Sequence, residues 1–153
     1  MKKKKTNRIE IKYKKAFFNF EMLDTLVAGI QLLGTEIKSI RERKVSFNDA
    51  YCIFRKGELF VKGLHIAEYS HGNIFNHDPD RQKKLLLNKR ELVMLRKKID
   101  EKGLTIVPIK IFINDKGLAK LEIAVAKGKK KHDKRESIKE KEFKRDINRH
   151  TFR

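Results

Sequence analysis

Few side chains in this 153-residue sequence could carry acid–base chemistry. Of the five histidines, His77 lies in a polar stretch and is followed directly by Asp78. A histidine beside a carboxylate could act as a general base, so a small hydrolase is one hypothesis, although a hydrogen bond within a loop explains the pair more simply. There is no GxSxG, Walker or GxGxxG segment and no histidine pair with the i,i+4 spacing of a helical zinc site. We therefore predict no catalysis, no metal and no other cofactor.

Positive charge indicates a different chemistry, the binding of a polyanion. Lysine and arginine number 39 against 20 acidic residues, which gives a net charge of +19. Residues 2–15 hold eight basic residues and one acidic residue, and residues 127–153 hold twelve basic and five acidic residues. The stretch between them is nearly balanced. This distribution predicts a globular domain with two basic ends and a nucleic-acid partner.

Two further clusters of cations lie inside the middle stretch. Lysines and arginines there could bind phosphates and give affinity without sequence information. Unpaired bases could stack on Tyr69, Phe75 or His132. One cluster alone could be a solvated face, but two clusters and two basic ends together favour an RNA-binding protein. The clusters are Lys38, Arg41, Arg43 and Lys44, and then Arg81, Lys83, Lys84, Lys89 and Arg90.

The elements that must position these residues follow from hydrophobic periodicity and turn residues. Alternation predicts a strand over Phe17–Leu33, bent at Gly29. Thr35 is a candidate N-cap for a short amphipathic helix with Ile37 and Ile40 on its apolar side. Two strand-like runs then flank a turn with glycine, which predicts a hairpin. These runs are Ala50–Phe54 and Leu59–Leu64, and the turn is Arg55-Lys56-Gly57-Glu58.

The second half begins with a predicted long loop over residues 68–84. A helix over Asn88–Lys102 follows, with Asn88 and Glu91 as a capping box and Gly103 as the stop signal. Two strands, Thr105–Ile113 and Leu118–Ala126, complete the pattern. We predict a mainly β fold, an OB-like antiparallel barrel with two or three short helices, while the pattern leaves an open α+β sheet as an alternative. Cys52, the single cysteine, lies in an apolar run and is predicted to be a buried thiol.

The predicted organisation has three parts: a basic arm over residues 1–13, a barrel domain over 14–128 and a basic tail over 129–153. The tail has no Gly or Pro after Gly128 and many i,i+3 and i,i+4 charge pairs. Such pairs give only a marginal isolated helix, so we expect the tail to be disordered alone and helical on a partner. No apolar run suits a signal peptide or a membrane span. We expect a cytoplasmic monomer without a membrane partner.

Several segments of the sequence occur in an order and spacing that is specific to one family. They are Ala28-Gly29-Ile30, Leu33 through Arg41, Asn48-Asp49-Ala50-Tyr51, Asn76-His77-Asp78-Pro79, Arg81 through Glu91, Ala126 through Lys130, and His132-Asp133-Lys134-Arg135. From about Lys14 to its C-terminus the chain resembles the SsrA-binding protein family (small protein B), the bacterial partner of transfer-messenger RNA (tmRNA). The resemblance implies an OB-like barrel that binds the tRNA-like domain of tmRNA and delivers it to ribosomes stalled on messages without a stop codon. It also implies contact with small-subunit ribosomal RNA and makes elongation factor Tu a candidate partner.

Three positions match residues that contact RNA in the family: Glu36, Leu86 and Asn88. A carboxylate or an amide can bond to a base edge, and leucine can pack against a base. From the residues alone, Glu36 could instead favour a helix N-terminus, Asn88 could be only a cap, and Leu86 could belong to the core. The predicted RNA-binding set also includes the cations Lys38, Arg41, Arg81, Lys83, Lys84, Lys89, Lys127, Lys129 and Lys130.

The tail matches the segment that, in the family, enters the vacant messenger channel of the small ribosomal subunit. The resemblance implies that its decoding-centre residues are Lys131, His132, Asp133, Lys134, Arg135 and Phe143. Two positions depart from the family pattern. Val27 replaces a usual glutamate, and Phe143 replaces a common tryptophan, which keeps an aromatic ring without the indole N–H.

Two other functions remain open at this point. The chain could be a basic ribosomal or initiation-factor-like OB protein that binds ribosomal RNA constitutively. The hydrolase based on His77 and Asp78 is the alternative from another class.

Overall fold

The computed structural model describes residues 8–72 and 75–151, with the backbone alone for residues 101, 102, 131–133, 150 and 151. Within these residues the chain forms strands and helices in mixed order. They are β1 (Glu10–Lys12), α1 (Lys14–Asn19), β2 (Phe20–Ile30), α2 (Gly34–Arg41), β3 (Val45–Arg55), β4 (Glu58–Ile66), β5 (Lys83–Leu86), α3 (Lys89–Lys102), β6 (Thr105–Ile113), β7 (Ala119–Gly128) and α4 (Lys131–Thr151).

The strands close into an antiparallel barrel. Its order is β6-β3-β4-β5-β2-β7, and β7 pairs again with β6. β7 joins β2 from Phe20–Gly128 to Gly29–Lys120, while its other edge joins β6 from Thr105–Ala126 to Ile113–Ala119. The predicted mainly β, OB-like barrel is confirmed, and the open-sheet alternative is wrong because the two ends of the sheet pair with each other.

The barrel interior is the main hydrophobic core. Leu59, Val61, Ile106 and Leu121, among others, are fully buried there. Helices α2 and α3 each add a fully buried residue to this core, Ile40 and Leu95. Cys52 also lies in it, and burial raises the pKa of its thiol, as expected of an inert buried cysteine.

The N-terminal segment differs from its prediction. Residues 10–12 fell in the expected basic arm, but they form β1, which pairs with β6. The strand expected from Phe17 begins only at Phe20, because residues 14–19 are the helix α1. Buried Tyr13 and Ala16 dock this helix, and the Tyr13 ring stacks on Phe47 at 4.8 Å between centroids. This packing overrides the local alternation on which the strand prediction rested.

The turn between β3 and β4 and both ends of α3 lie where the sequence predicts them. Lys56 and Gly57 both have positive φ, as the tight turn between β3 and β4 requires. Asn88 caps α3 through a 2.8 Å bond from the Glu91 amide, and Gly103 ends it in the left-handed conformation. β5 was not predicted, because four residues without alternation inside a loop give no periodic signal.

Helix α4 covers most of the expected tail. Lys129 connects it to the barrel, since its amide donates to the Asn19 carbonyl at 2.9 Å and its Nζ donates to the Phe17 carbonyl and the Ser137 hydroxyl, each at 3.0 Å. From residue 138 to residue 149 every side chain is exposed. In the described part of the chain, no helix has the length and apolar character needed to span a membrane.

Candidate RNA interface

Glu36 lies in the first turn of α2 and is fully buried. Its Oε1 accepts a 2.8 Å hydrogen bond from the Leu33 amide, so the carboxylate caps its own helix. Leu33 is the N-cap residue, and the prediction that Thr35 has this role is wrong. The Thr35 hydroxyl instead pairs with the His77 ring at 2.8 Å.

Two cations, one from the loop before β5 and one from the first residue of β5, lie beside the same carboxylate. Arg81 Nη2 donates to Glu36 Oε1 at 2.5 Å, and it also reaches the Gln31 carbonyl at 3.3 Å. Lys83 Nζ lies 4.0 Å from Glu36 Oε2 and donates to the Leu64 carbonyl at 2.7 Å. We call Glu36, Arg81 and Lys83 the buried ion network. It ties α2, the loop before β5 and the first residue of β5 together.

Burial dominates the electrostatics of this network. It lowers the pKa of Lys83 to about 8, and the attraction of Glu36 only partly opposes that shift. Glu36 Oε2 and Arg81 Nε have no hydrogen-bond partner among the protein atoms described. Buried polar atoms without partners weaken a structure, so the network holds its geometry at an energetic cost.

Glu36 and Lys83, which were predicted to contact RNA, both lie inside the protein. Both side chains are 0% exposed, so neither reaches the surface of this structure. A charged group inside a protein requires a counter-charge, and each of these groups serves the other in that way. Arg81 remains one-third exposed. The residue types and the spacing in the sequence did not indicate that Glu36 and Lys83 are buried.

Leu86 lies on the surface, and the possibility that it belongs to the core is wrong. Its side chain is 53% exposed, whereas its neighbour Leu85 is fully buried. It borders a shallow depression of about 300 Å³ whose other lining residues include Gly29, Ile37 and Leu118. A Cβ at Gly29 would lie 3.1 Å from that of Leu86, so glycine permits the close approach of these strands.

The elements that carry Ile37 and Leu86, two lining residues, also carry or lead to exposed cations and one amide. Lys38 and Arg41 project from α2, while Lys84 is half-buried and Asn88 and Lys89 are exposed at the start of α3. The Asn88 side chain makes bonds of 2.8 and 3.0 Å to Glu91, which confirms its capping role and leaves one donor and one acceptor position. We call Lys38, Arg41, Arg81, Lys84, Leu86, Asn88 and Lys89 the RNA face. The contact of Arg81 with Glu36 joins the second cation cluster to α2, the helix that carries the first.

Lys127, Lys129 and Lys130 lie elsewhere. They are at the end of β7 beside α1, whereas Lys120, near the start of β7, borders the Leu86 depression. Eight residues of strand separate Lys120 from Gly128, a distance of about 27 Å. The structure therefore divides the predicted RNA-binding set into two basic surfaces.

The predicted decoding-centre residues occupy the start and middle of α4. Arg135 is exposed, Lys134 is half-buried, and Phe143 is 68% exposed. The side chains of Lys131, His132 and Asp133 lie outside the described residues. Phe143 is an unburied aromatic ring on an otherwise highly charged helix, and such a ring can stack on a base.

His77 does not form the acid–base pair that the hydrolase hypothesis requires. The ring is buried, its Nε2 donates to the Ile66 carbonyl at 2.9 Å, and its Nδ1 bonds with Thr35. Asp78 is exposed and accepts from the Asp80 amide at 3.0 Å. Both nitrogens of His77 therefore hold the loop against α2 and β4, and none is available for proton transfer.

Val27, the first departure from the family pattern, is 51% exposed on β2. It lies directly opposite Glu122 of β7, and Glu122 pairs with Lys110 at 3.4 Å. A glutamate at position 27 would place two carboxylates side by side, which destabilises a strand pair. Val27 therefore fits its surroundings in this chain.

Together, the closed barrel, the exposed cations around an apolar depression and the basic helical tail define a small barrel protein with a surface suited to nucleic acid. The SmpB protein family model matches residues 10–153. An SsrA-binding protein from Christiangramia forsetii is 55% identical over 143 residues, 94% of this chain and 91% of that protein. One from Bacteroides thetaiotaomicron is 56% identical over 139 residues, 91% of this chain and 93% of that protein.

A solved structure supports the same relationship. It is described as "tmRNA-SmpB: a journey to the center of the bacterial ribosome", and a chain in it is 42% identical with a TM-score of 0.68. The alignment covers 85% of this chain and 94% of that chain. The chain belongs to the SmpB family, and the resemblance seen in its sequence is confirmed.

Proposed function

We propose that this chain binds the tRNA-like domain of tmRNA and delivers that RNA to stalled ribosomes for trans-translation. The observation that carries the proposal is the family match, which runs from residue 10 to residue 153 and so includes both the barrel and the tail. The relatives are SsrA-binding proteins, and the solved relative is described with tmRNA and the ribosome. The ribosome is cytoplasmic in bacteria, so we place the activity in the cytoplasm.

The RNA face supplies the chemistry for tmRNA. Its lysines and arginines bind phosphates, and this attraction acts on any RNA. Leu86 beside its depression offers an apolar surface for an exposed base or sugar, and Asn88 keeps one donor and one acceptor position for a base edge. These two residues, rather than the cations, carry discrimination between RNAs.

The buried ion network positions this face. Glu36 orients Arg81 and fixes the first turn of α2, and Lys83 begins the strand that ends with Leu86. In our proposal Glu36 acts through these neighbours rather than by touching the RNA. The residues that bind tmRNA are then already in place before binding, which reduces the entropy lost in the complex.

The tail supplies the second half of the function. We propose that residues 129–153 enter the vacant messenger channel of the small subunit, with Lys131 through Arg135 and Phe143 near the decoding centre. The 21 residues of α4 extend about 32 Å at 1.5 Å per residue, a suitable length for a tunnel of RNA. Messenger RNA in the channel would exclude the helix, so the tail distinguishes stalled from translating ribosomes. Contact with elongation factor Tu remains a prediction.

Competition between two RNAs tests the proposal. Labelled tRNA-like domain bound to the protein is titrated with unlabelled tRNA and, separately, with unlabelled tmRNA at one salt concentration. We expect tRNA to compete at least 10-fold less well than tmRNA. Phosphate attraction alone cannot choose between the two RNAs, so such a difference would show specific recognition. Equal competition would show that the chain binds RNA without this specificity, as a constitutive ribosomal protein could.

A further inference from the structure

A second depression lies between α3 and the turn that joins β3 to β4. We propose that it binds one unstacked nucleotide of tmRNA, next to the RNA face but separate from it. This inference rests on the proposed tmRNA binding. The depression, which we call the α3 groove, has a volume of about 560 Å³ and is lined by Phe54, Gly57, Leu92, Val93, Arg96, Lys97 and Asp100. Among the described residues, none lines both this groove and the depression beside Leu86.

The surface of the groove combines an apolar base with an aromatic ring. Phe54 and Leu92 pack partly into the main core, so they are fixed in place. Val93 remains 68% exposed on α3, which is a large apolar exposure for a helix with so many charges. Gly57 adds no side chain, and a Cβ there would meet nothing within 4 Å, so the groove is open on that side.

A planar cation lies over the aromatic ring. The Arg96 guanidinium carbon is 5.3 Å from the centre of the Phe54 ring, and Arg96 Nε bonds to Asp100 at 3.4 Å. The carboxylate of Asp100 thus helps to hold the guanidinium in place. Bases stack readily on guanidinium planes and aromatic rings, and they do so with little dependence on base identity.

The same arrangement recurs on the neighbouring strand. Arg55 lies 5.2 Å from the centre of the Phe60 ring, and its Nη1 donates to Gln82 at 2.9 Å. Arg55 does not line the groove, but among the residues that do, the cations Arg96 and Lys97 outnumber the single carboxylate of Asp100. This excess complements the phosphates on either side of a bound base.

The groove continues from the RNA face along α3. Leu92 lies one helical turn after Asn88, and its amide donates to the Asn88 carbonyl at 3.1 Å. An RNA strand that meets Asn88 therefore has the groove within reach of its next nucleotides. This continuity favours tmRNA as the occupant over an unrelated ligand.

The dimensions of the groove favour a nucleotide over an acidic peptide helix. A volume of this size is ordinary for a small-ligand site. A docked helix needs a longer channel with pockets for residues at i, i+3, i+4 and i+7. A guanidinium beside a phenylalanine ring offers two planar groups rather than such a row of pockets.

Two neighbouring substitutions on α3 test the proposal. Val93→Glu places a carboxylate in the groove, whereas Met94→Glu places one on the next residue, which is 44% exposed and does not line the groove. Both variants change the net charge equally and alter exposed positions, and circular dichroism would check that both fold. We expect Val93→Glu to weaken binding of the tRNA-like domain about 10-fold and Met94→Glu less than 3-fold, measured by filter binding at one salt concentration.

The outcomes separate the groove from the general function. Equal affinities of the two variants would overturn the groove as an RNA contact, while the wild-type preference for tmRNA over tRNA would still support the proposed function. Loss of that preference in the wild type would instead remove the function itself. The NMR chemical shifts of the amides of residues 92–97 give a second measurement, and we expect them to change when the tRNA-like domain is added. A change with poly-glutamate but not with the tRNA-like domain would assign the groove to an acidic peptide and overturn our proposal.

Discussion

The barrel and the tail differ in the burial of their charged side chains. In the barrel, Glu36 and Lys83 are fully buried and Arg81 is two-thirds buried, and all three hold elements that are distant in sequence. In α4 the charged residues beyond Lys134 are exposed, and the helix joins the barrel through Lys129. Buried ion pairs fix one geometry, whereas exposed pairs contribute at most about 1 kcal/mol each.

This difference separates two tasks within one small chain. In the function that we propose, the barrel presents a surface whose shape is set before RNA arrives. The tail has the composition of a helix but few contacts with the rest of the protein, so its surroundings decide how long the helix persists. Five predictions test this contrast, and they are given from the largest expected effect to the smallest.

Removal of residues 129–153 should abolish tagging of proteins on stalled ribosomes, because the segment that reads the empty channel is lost. Affinity for the tRNA-like domain should change by less than about 3-fold, since the RNA face lies at the other end of β7. Translation extracts with a message lacking a stop codon would measure tagging. Tagging by the truncated protein would show that the tail has no such role.

Hydrogen exchange should differ by several orders of magnitude between the two regions. Amides of β6 and β7 pair inside the closed barrel and should exchange only on global unfolding. Amides of α4 in the free protein should exchange within about 10-fold of unstructured rates, because an isolated helix of this length is marginal in water. Protection of α4 equal to that of β7 would refute the idea that a partner decides the state of the tail.

Glu36→Ala should lower the free energy of unfolding by about 3–5 kcal/mol, because it leaves the buried Lys83 and the partly buried Arg81 without their counter-charge. Glu140→Ala in the exposed part of α4 should change it by less than about 0.5 kcal/mol. Urea unfolding measures both. If Glu36→Ala costs no more than Glu140→Ala, the network does not hold the RNA face.

A second measurement on the network separates positioning from contact. Under conditions in which all variants are folded, Glu36→Ala should weaken RNA binding in the wild-type background but add little loss to Arg81→Ala, because Glu36 acts through Arg81. A direct Glu36 contact predicts the same loss in both backgrounds, because the loss would be independent of the residue at position 81.

The pH dependence of stability should reveal the buried lysine. Its folded pKa of about 8 lies below the value near 10.5 of a solvated lysine. Below pH 8 both states are protonated, and the penalty for burying the charged lysine is fully present. Between pH 8 and 10.5 the unfolded state binds more protons, so stability rises with pH by a few kcal/mol at most.

The raised pKa of Cys52 acts in the opposite direction above pH 9.0, because there the native state keeps the proton that the unfolded state loses. Both the wild type and Lys83→Met contain Cys52, so its contribution is removed when the unfolding free energy of one is subtracted from that of the other. As pH rises from 8 to 10.5, we expect the stability of the wild type to increase relative to that of Lys83→Met. A constant difference would mean that Lys83 titrates normally. Lys139→Met in the exposed tail serves as the matched control for the loss of one lysine.

The smallest expected effect is at Val27. Val27→Glu places a carboxylate opposite Glu122 and should destabilise the barrel by about 0.5 kcal/mol relative to Val27→Gln. Thermal unfolding at low salt measures the difference, and added salt should reduce it. If the two variants are equally stable, Lys110 already neutralises Glu122 completely.

The sequence by itself determined the local features and the family. Asn88 and Gly103 delimit α3, Lys56 and Gly57 set the turn between β3 and β4, and the apolar strands predict a barrel, because caps, turns and periodicity depend on neighbouring residues. The uneven charge identified a polyanion partner, and the ordered segments identified the family. These signals need no knowledge of distant contacts.

Only the tertiary structure decided which charged residues face the solvent. Glutamate and lysine are common at surface positions, so the residue types of Glu36 and Lys83 do not indicate burial. Their burial depends on contacts between residues that are 45 or more positions apart in the sequence. The same is true of α1, where packing of Tyr13 on Phe47 overrides an alternation that predicts a strand. Long-range contacts determine burial, and burial determines whether a charged side chain can meet an RNA or can only hold the surface that does.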